Sequence, residues 1–132
     1  MFGTQSLRVA VAFALLVPGW IAAQVPADLK QAMSARDVAV AKIDAATWDR
    51  LTTEDFTVVQ ANGALLTKAQ RLAQFKTDTA TTPLPHQEET IKQYGGAFVR
   101  RFRAGEIWVL DVWVKDAKGW RVAVVQVTTA KK

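Results

Sequence analysis

The last third of the chain constrains the fold most, because it consists of four consecutive strand-forming segments. Each is rich in β-branched and aromatic residues, and short breaks containing glycine or other turn residues separate them. Breaks this short leave no room for a crossover helix, so neighbouring strands must run antiparallel. The sequence therefore predicts an antiparallel meander with strands at Glu88–Tyr94, Ala97–Arg103, Glu106–Lys115 and Trp120–Thr128.

Helical patterns precede this meander. Asp28 is the predicted cap of a helix that runs to about Ile43, and Asp44 ends it. Arg36 is the one charged residue on the helix's apolar stripe. A second short helix follows, with Trp48 and Leu51 on one side. The stripe of the first helix consists of Leu29, Met33, Arg36, Val40 and Ile43, spaced at helical intervals.

A strand is predicted at Asp55–Gln60, followed by a turn at residues 61–63. Thr67 and Gln70 have the spacing of a capping box, which opens a third helix. Residues 77–86 are polar and contain prolines, which predicts a loop. Helices first and a meander last indicate one α+β domain over residues 24–132. The third helix is expected to turn Ala69, Leu72 and Phe75 inward.

The N-terminus has the pattern of a secretory signal peptide over residues 1–23. Arg8 precedes the apolar run Val9–Val17, a Pro-Gly pair breaks the run, and Ala23 offers a small residue for cleavage. The run is about half as long as a bilayer span requires. Export to the periplasm of a bacterium, or secretion, is therefore expected, and a retained anchor is the alternative. No stable membrane anchor is expected after cleavage.

Composition narrows the classes of function. The chain has 17 Lys and Arg against 12 Asp and Glu, but they are scattered and accompany no nucleic-acid-binding motif. It has no Cys and one histidine, His86, which is predicted to be exposed in a loop. We therefore expect no nucleic-acid partner, no metal site and no cofactor.

Two segments of the chain resemble a known family. They are "KIDAATWDRLTTEDFTVVQANGALLTKAQRLAQFK" and "IWVLDVWVKDAKGWRVAVVQVT". Together they resemble the SnoaL-like branch of the nuclear transport factor 2-like superfamily. The resemblance implies a cone, in which a curved antiparallel sheet wraps over three helices and encloses a pocket. It also implies a homodimer formed through the outer face of the sheet. The resemblance depends on four features in order: Asp44, Asp55-Phe56, Asn62-Gly63 before the Thr67 cap, and the final hairpin.

Asp111 lies in the first strand of that hairpin, on the same face as Ile107, Val109 and Trp113. The turn leaves two registers open. A two-residue turn places Asp111 opposite Val124, and a three-residue turn places it opposite Val125. In the superfamily's ketosteroid isomerases, a matching Asp points into the pocket, stays protonated in its apolar site and donates a hydrogen bond to the substrate. The resemblance thus favours an inward Asp111 and the first register, which turns Val122, Gln126 and Thr128 inward as well.

The other catalytic residues of those isomerases are missing here. Gln60 occupies the position of the general base and Arg36 that of the oxyanion-binding Tyr. Isomerase activity of that kind is therefore not expected, and Asp111 is only a weak catalytic candidate. We predict instead that Arg36 and Asp111 form a buried ion pair, with Arg100 as a competitor for Asp111. The pair either organises the core or holds a ligand's carboxylate or carbonyl. The residues expected to bind the ligand are Arg36, Trp48, Gln60, Asp111, Trp113 and Gln126.

Three functions remain open from the sequence. The first is an exported small-molecule-binding or accessory domain with an apolar pocket. The second is an enzyme of the hydrolase, dehydratase or isomerase type that uses Asp111 with Arg36 and Gln60. The third is a protein-interaction module that uses the outer sheet face around Trp108, Leu110 and Val112.

Overall fold

The computed structural model describes Gly3 and residues 24–132, and in it three helices pack against one six-stranded sheet. The α+β class is confirmed. The predicted signal peptide, residues 1–23, lies outside the described residues except for Gly3. No helix in the described part of the chain is long and apolar enough to cross a membrane. The elements are α1 (Ala27–Lys42), α2 (Ala45–Arg50), β1 (Thr52–Val59), β2 (Leu65–Thr67), α3 (Lys68–Gln74), β3 (Gln87–Tyr94), β4 (Ala97–Ala104), β5 (Ile107–Asp116) and β6 (Gly119–Thr129).

The predicted N-terminal cap of α1 is wrong by two residues, whereas Ile43 caps the end of α1 and Asp44 the start of α2, close to the predicted boundary. Asp28 lies inside the first turn of α1, and Pro26 occupies the cap position without a side-chain hydrogen bond. Ile43 ends α1 in the left-handed conformation, with a φ of 58°. Asp44 then caps α2, because its carboxylate accepts a hydrogen bond from the Thr47 N–H at 3.1 Å.

The capping box at the start of α3 is confirmed. The Gln70 N–H donates to the Thr67 hydroxyl at 3.3 Å, and the Gln70 side chain accepts from the Thr67 N–H at 2.9 Å. Phe75, just after the helix, is buried, and Leu72 packs against the core. Ala69, by contrast, is exposed and does not face inward as predicted. The helix is only two turns long, so its apolar contacts are limited to its C-terminal end.

The sheet has the strand order β2-β1-β6-β5-β4-β3. The predicted meander from β3 to β6 is confirmed, since its three pairings are all antiparallel. The sheet is not entirely antiparallel, because β1 pairs in parallel with β6. The short strand β2 was not predicted, and it forms a hairpin with β1 across the Asn62-Gly63 turn.

A β-bulge at Ala123 sets the register of the final hairpin. The turn has two residues, because Asp116 pairs with Gly119. Trp113 pairs with Val122, but Val112 already pairs with Val124, so Ala123 is an extra residue on β6. Beyond the bulge Asp111 lies opposite Val125. The turn length was therefore predicted correctly, but the register at Asp111 was wrong.

The core lies between the helices and the inner face of the sheet. Trp48 of α2 packs edge-on against Phe56 and Phe75, with ring centroids 5.2 Å and 5.4 Å apart. Leu29 and Met33 cover the core from α1. Trp48 and Phe56 also border a space between α1 and the sheet, where polar side chains of α1, β4 and β5 converge.

Candidate functional site

A cavity of about 480 Å³ lies between α1, the inner face of the sheet and the loop at residues 77–86. Cavities of 300–1,000 Å³ are typical of small-molecule sites. Its wall is mostly apolar and includes Trp48, Phe56, Phe102, Val109 and Val127. The polar side chains on the wall are Arg36, Asp37, Gln60, Arg71, Thr81, Thr82, His86, Arg100 and Asp111.

Asp111 lies in this wall and is 1 % exposed. Its predicted inward orientation is confirmed. Arg100 of β4 lies directly opposite it, because a two-residue turn at residues 105–106 joins β4 and β5. The Arg100 guanidinium donates to both carboxylate oxygens, with the closest contact at 2.6 Å. The Trp113 indole donates to the same carboxylate at 2.9 Å. Asp111 is thus an acceptor in every one of these contacts.

Arg100 links a second carboxylate to Asp111. Its two terminal nitrogens each donate to Asp37 of α1 at 2.9 Å, and its guanidinium lies 4.6 Å from the centroid of the Phe102 ring. Burial alone would lower the pKa of Arg100. The hydrogen bonds to Asp37 and Asp111 outweigh burial and raise that pKa above its usual value. Asp37, Arg100 and Asp111 therefore form one fixed, charged group.

The predicted ion pair between Arg36 and Asp111 is wrong. Within residues 24–132, no nitrogen of Arg36 lies within 4.0 Å of a carboxylate, whereas Arg100 lies in direct contact with Asp111. Arg100 contacts Asp111 because the two residues lie directly opposite each other on paired strands. Arg36 is only 6 % exposed, and its Nε has no hydrogen-bond partner among the described residues.

Aromatic rings surround the unpaired Arg36 guanidinium. It lies 5.3 Å from the Trp48 ring centroid and 5.6 Å from that of Phe56. Burial lowers the pKa of Arg36 to about 10, an effect that the nearby charge of Asp111 only partly offsets. At neutral pH the side chain is therefore a buried cation whose charge is incompletely compensated.

The other predicted site residues divide between the cavity and elsewhere. Trp48 and Gln60 line the cavity, and Gln60 exchanges amide hydrogen bonds with Gln74 at 2.8 Å and 3.3 Å. Trp113 is fully buried and supports Asp111 without forming part of the cavity wall. Gln126 lies on the outer face, opposite Leu110, because the bulge at Ala123 reverses the orientation of the following residues. The expectation that Gln126 faces inward is therefore wrong.

Sequence reasoning did not place three charged or titratable residues of the wall at the site, namely Asp37, Arg71 and His86. The His86 ring stacks on Phe102 with centroids 3.7 Å apart, and its Nε2 lies 3.6 Å from Asp37. Its side chain is 23 % exposed, so its predicted position in the loop is right but it is less exposed than expected. No sequence signal connects this loop residue to α1, since their contact depends on the tertiary fold.

The arrangement limits the chemistry that Asp111 can perform. A carboxylate that accepts hydrogen bonds from a guanidinium and an indole cannot act as the neutral donor of a ketosteroid isomerase. Gln60 cannot abstract a proton. Among residues 24–132 no group of three or more metal-binding side chains suits a metal ion. The cavity therefore offers hydrogen-bond donors and apolar surface, but no assembled isomerase site.

Comparisons with solved structures identify the fold. No family model and no curated protein matches the chain. It is similar to the solved structure of an NTF2-like protein from Cytophaga hutchinsonii, at 16% identity and a TM-score of 0.68, covering 76% of this chain and 94% of that one. A protein of unknown function from Pectobacterium atrosepticum is 21% identical, with a TM-score of 0.66 and coverages of 80% and 90%.

A third similar structure is a candidate dehydratase of the NTF2-like family from Streptomyces avermitilis. It is 11% identical, with a TM-score of 0.69, and the match covers 80% of this chain and 95% of that one. At such identities a structural likeness establishes the fold, whereas function depends on the particular side chains of the site. The chain accordingly has the nuclear transport factor 2-like fold.

Proposed function

We propose that this protein binds a small organic molecule with a mostly apolar body inside the cavity. The observation that carries the proposal is the cavity of about 480 Å³ with its largely apolar wall. Apolar walls with a few convergent polar groups are the usual composition of small-molecule sites. Burial of a ligand's hydrocarbon surface against Trp48, Phe56 and Val109 supplies the affinity.

The polar side chains of the wall are largely held in place by hydrogen bonds to neighbouring side chains. Arg100 is fixed between Asp37 and Asp111, and Gln60 is fixed by Gln74. Fixed side chains reduce the entropy lost when a ligand binds. This arrangement supports a preformed binding site over one that must assemble around its ligand.

The test uses the neutral fluorescent dye N-phenyl-1-naphthylamine. We expect it to bind the protein with enhanced emission, because it is apolar and small enough for such a cavity. Val109→Phe introduces bulk into the cavity and should weaken dye binding about tenfold or more. Leu110→Phe is the matched control, because Leu110 adjoins Val109 on β5 but lies on the outer face. No dye binding by the native protein, or equal affinity in both variants, would contradict the proposal.

A second candidate is an enzyme of the hydrolase, dehydratase or isomerase type, and the observation that favours it is His86. Histidine is the side chain that most often transfers protons in enzymes, and His86 lines the cavity beside Asp37. In this version Asp111, Arg36 and Gln60 bind the substrate rather than transfer its proton. Turnover of a small hydroxy acid or ester should then fall about 100-fold or more in His86→Gln, a far larger change than in dye affinity. Turnover that is independent of His86 would remove this candidate.

We also propose that the chain belongs to the SnoaL-like branch, that it is exported, and that it forms a homodimer through the outer face of the sheet. The pattern of residues 1–23 supports export. Exposed Leu110 and Val124 beside Trp108 support an interface on the outer face. The same face would serve the alternative role of a protein-interaction module. Fractionation of cells that express the full chain tests export, and a cytoplasmic product of unchanged mass would contradict it.

A further inference from the structure

We infer that the cavity selects a ligand with a single carboxylate, which Arg36 binds at the closed end while the ligand's apolar remainder extends toward Val40 and Leu84. This inference rests on the proposed binding function and adds the chemical class and the orientation of the ligand.

The guanidinium of Arg36 has no paired anion among the described residues. Arg36 is 94 % shielded from solvent, lines the cavity, and has an Nε without a hydrogen-bond partner among the described residues. Trp48 and Phe56 stabilise its charge through their ring faces but accept no ordinary hydrogen bond. A buried polar group normally has a hydrogen-bond partner. Arg36 therefore lacks an acceptor that a bound molecule can supply.

The carboxylates nearest to Arg36 are already engaged. Asp111 accepts from Arg100 and Trp113, and Asp37 accepts from Arg100 through both of its oxygens. Burial dominates the environment of Arg36 and lowers its pKa to about 10. Arg36 thus stays charged at neutral pH, and an added anion would complete its charge compensation. A carboxylate also matches the two-pronged geometry of a guanidinium.

The charges on the cavity wall favour a ligand with one negative charge over a ligand with two. Arg100 is saturated by its two aspartates, and Arg71 pairs with Asp78 at 2.9 Å. Arg36 is therefore the one arginine of the cavity wall that forms no ion pair within residues 24–132. A doubly charged phosphate ester would leave its second charge buried without a counter-ion, at high energetic cost. A monocarboxylate avoids this cost.

Exposure along the wall gives the orientation. Arg36, Trp48 and Phe56 are 6 %, 1 % and 2 % exposed, whereas Val40 and Leu84 are 37 % and 58 % exposed. The cation is therefore at the closed end and the apolar residues lie at the rim. A molecule that places its carboxylate on Arg36 directs its hydrocarbon part past Val109 toward the rim.

The experiment measures displacement of N-phenyl-1-naphthylamine by octanoate and by 1-octanol, which have the same chain length and differ in charge. At pH 7 octanoate should displace the dye at a concentration about tenfold lower or more than octanol. In Arg36→Met this preference should disappear, because octanoate loses a charge-assisted partner and its affinity falls much more than that of octanol. Arg101→Met is the matched control, because Arg101 lies on the outer face beside Trp108, and it should keep the preference.

Each result decides between the proposals. Equal displacement by octanoate and octanol in the native protein overturns the inference without any variant, so it stays testable even if Arg36→Met fails to fold. A preference that survives in folded Arg36→Met also overturns it. If the neutral dye does not bind, the proposed binding function fails instead. If Arg101→Met loses the preference, octanoate binds at the outer face and the inference is wrong.

Discussion

Two buried arginines on the cavity wall should respond in opposite ways to the same substitution. Arg100 and Arg36 are 2 % and 6 % exposed, yet Arg100 contacts two carboxylates and Arg36 contacts none within ion-pair distance among residues 24–132. Replacement of Arg100 by Met should strongly destabilise the protein. Replacement of Arg36 by Met should leave stability unchanged or increase it, because Met keeps most of the volume and removes an undercompensated charge.

The loss of stability expected for Arg100→Met follows from the two carboxylates that would lose their ion-pair partner. Asp111, 1 % exposed, would keep only the hydrogen bond from Trp113, and breaking one side of a buried ion pair costs about 3–5 kcal/mol. Asp37 is 25 % exposed on its side chain and can regain water, so it adds little. For the 109 residues from 24 to 132 this corresponds to a melting temperature lower by roughly 13–22 °C.

The change in stability expected for Arg36→Met follows from the lowered pKa of Arg36. A pKa lowered from 12.5 to about 10 corresponds to a cost of roughly 3 kcal/mol for the charged form in the folded protein. Loss of the contacts to the Trp48 and Phe56 rings offsets part of that gain, at about 1 kcal/mol each. We therefore expect Arg36→Met to be between neutral and about 2 kcal/mol more stable.

Urea denaturation at pH 7, followed by tryptophan fluorescence and far-UV circular dichroism, measures both effects. Adding Asp111→Leu to Arg100→Met should recover most of the lost stability, because the pair is then replaced by apolar groups. A loss below about 1 kcal/mol for Arg100→Met would refute the argument. An equal loss in both arginine variants would refute it as well, since the contrast between paired and unpaired cations would then have no effect.

The fold and the site lead to four further predictions. Octanoate affinity should fall as pH rises through about 10, because Arg36 then loses its proton, while octanol affinity measured beside it stays constant. Deletion of Ala123 should keep a cooperative unfolding transition in circular dichroism, because Val122, Val124 and Val125 then form a regular ladder with the same partners on β5; loss of the transition would contradict a one-residue bulge. Thr67→Ala should cost about 1 kcal/mol in urea denaturation, whereas a change near zero would mean that the capping box contributes nothing. Leu110→Glu should yield a monomer in sedimentation velocity if the native chain is a dimer through its outer face; an intact dimer would place the interface elsewhere.

The local pattern of the sequence was sufficient for the elements. The four meander strands begin and end within two residues of their predicted positions, because alternation and glycine-containing breaks are local properties. The capping box at Thr67 was predicted for the same reason, whereas the inward face of Asp111 was predicted from the family resemblance. The resemblance supplied the fold, since the order of its motifs reflects the order of the elements.

Non-local contacts decided the site. Helical spacing placed Arg36 toward the interior, and Arg100 was predicted only as a competitor for Asp111, but the length of the β4–β5 turn put Arg100 directly opposite Asp111. The single extra residue at Ala123 moved Gln126 to the outer face, and a bulge has no periodic signature. The pattern of residues along the chain thus identified Arg36 and Asp111 as charged side chains within an apolar interior. The tertiary structure decided which of them are paired and left Arg36 facing the cavity, because ion pairing depends on distances between elements far apart in the chain.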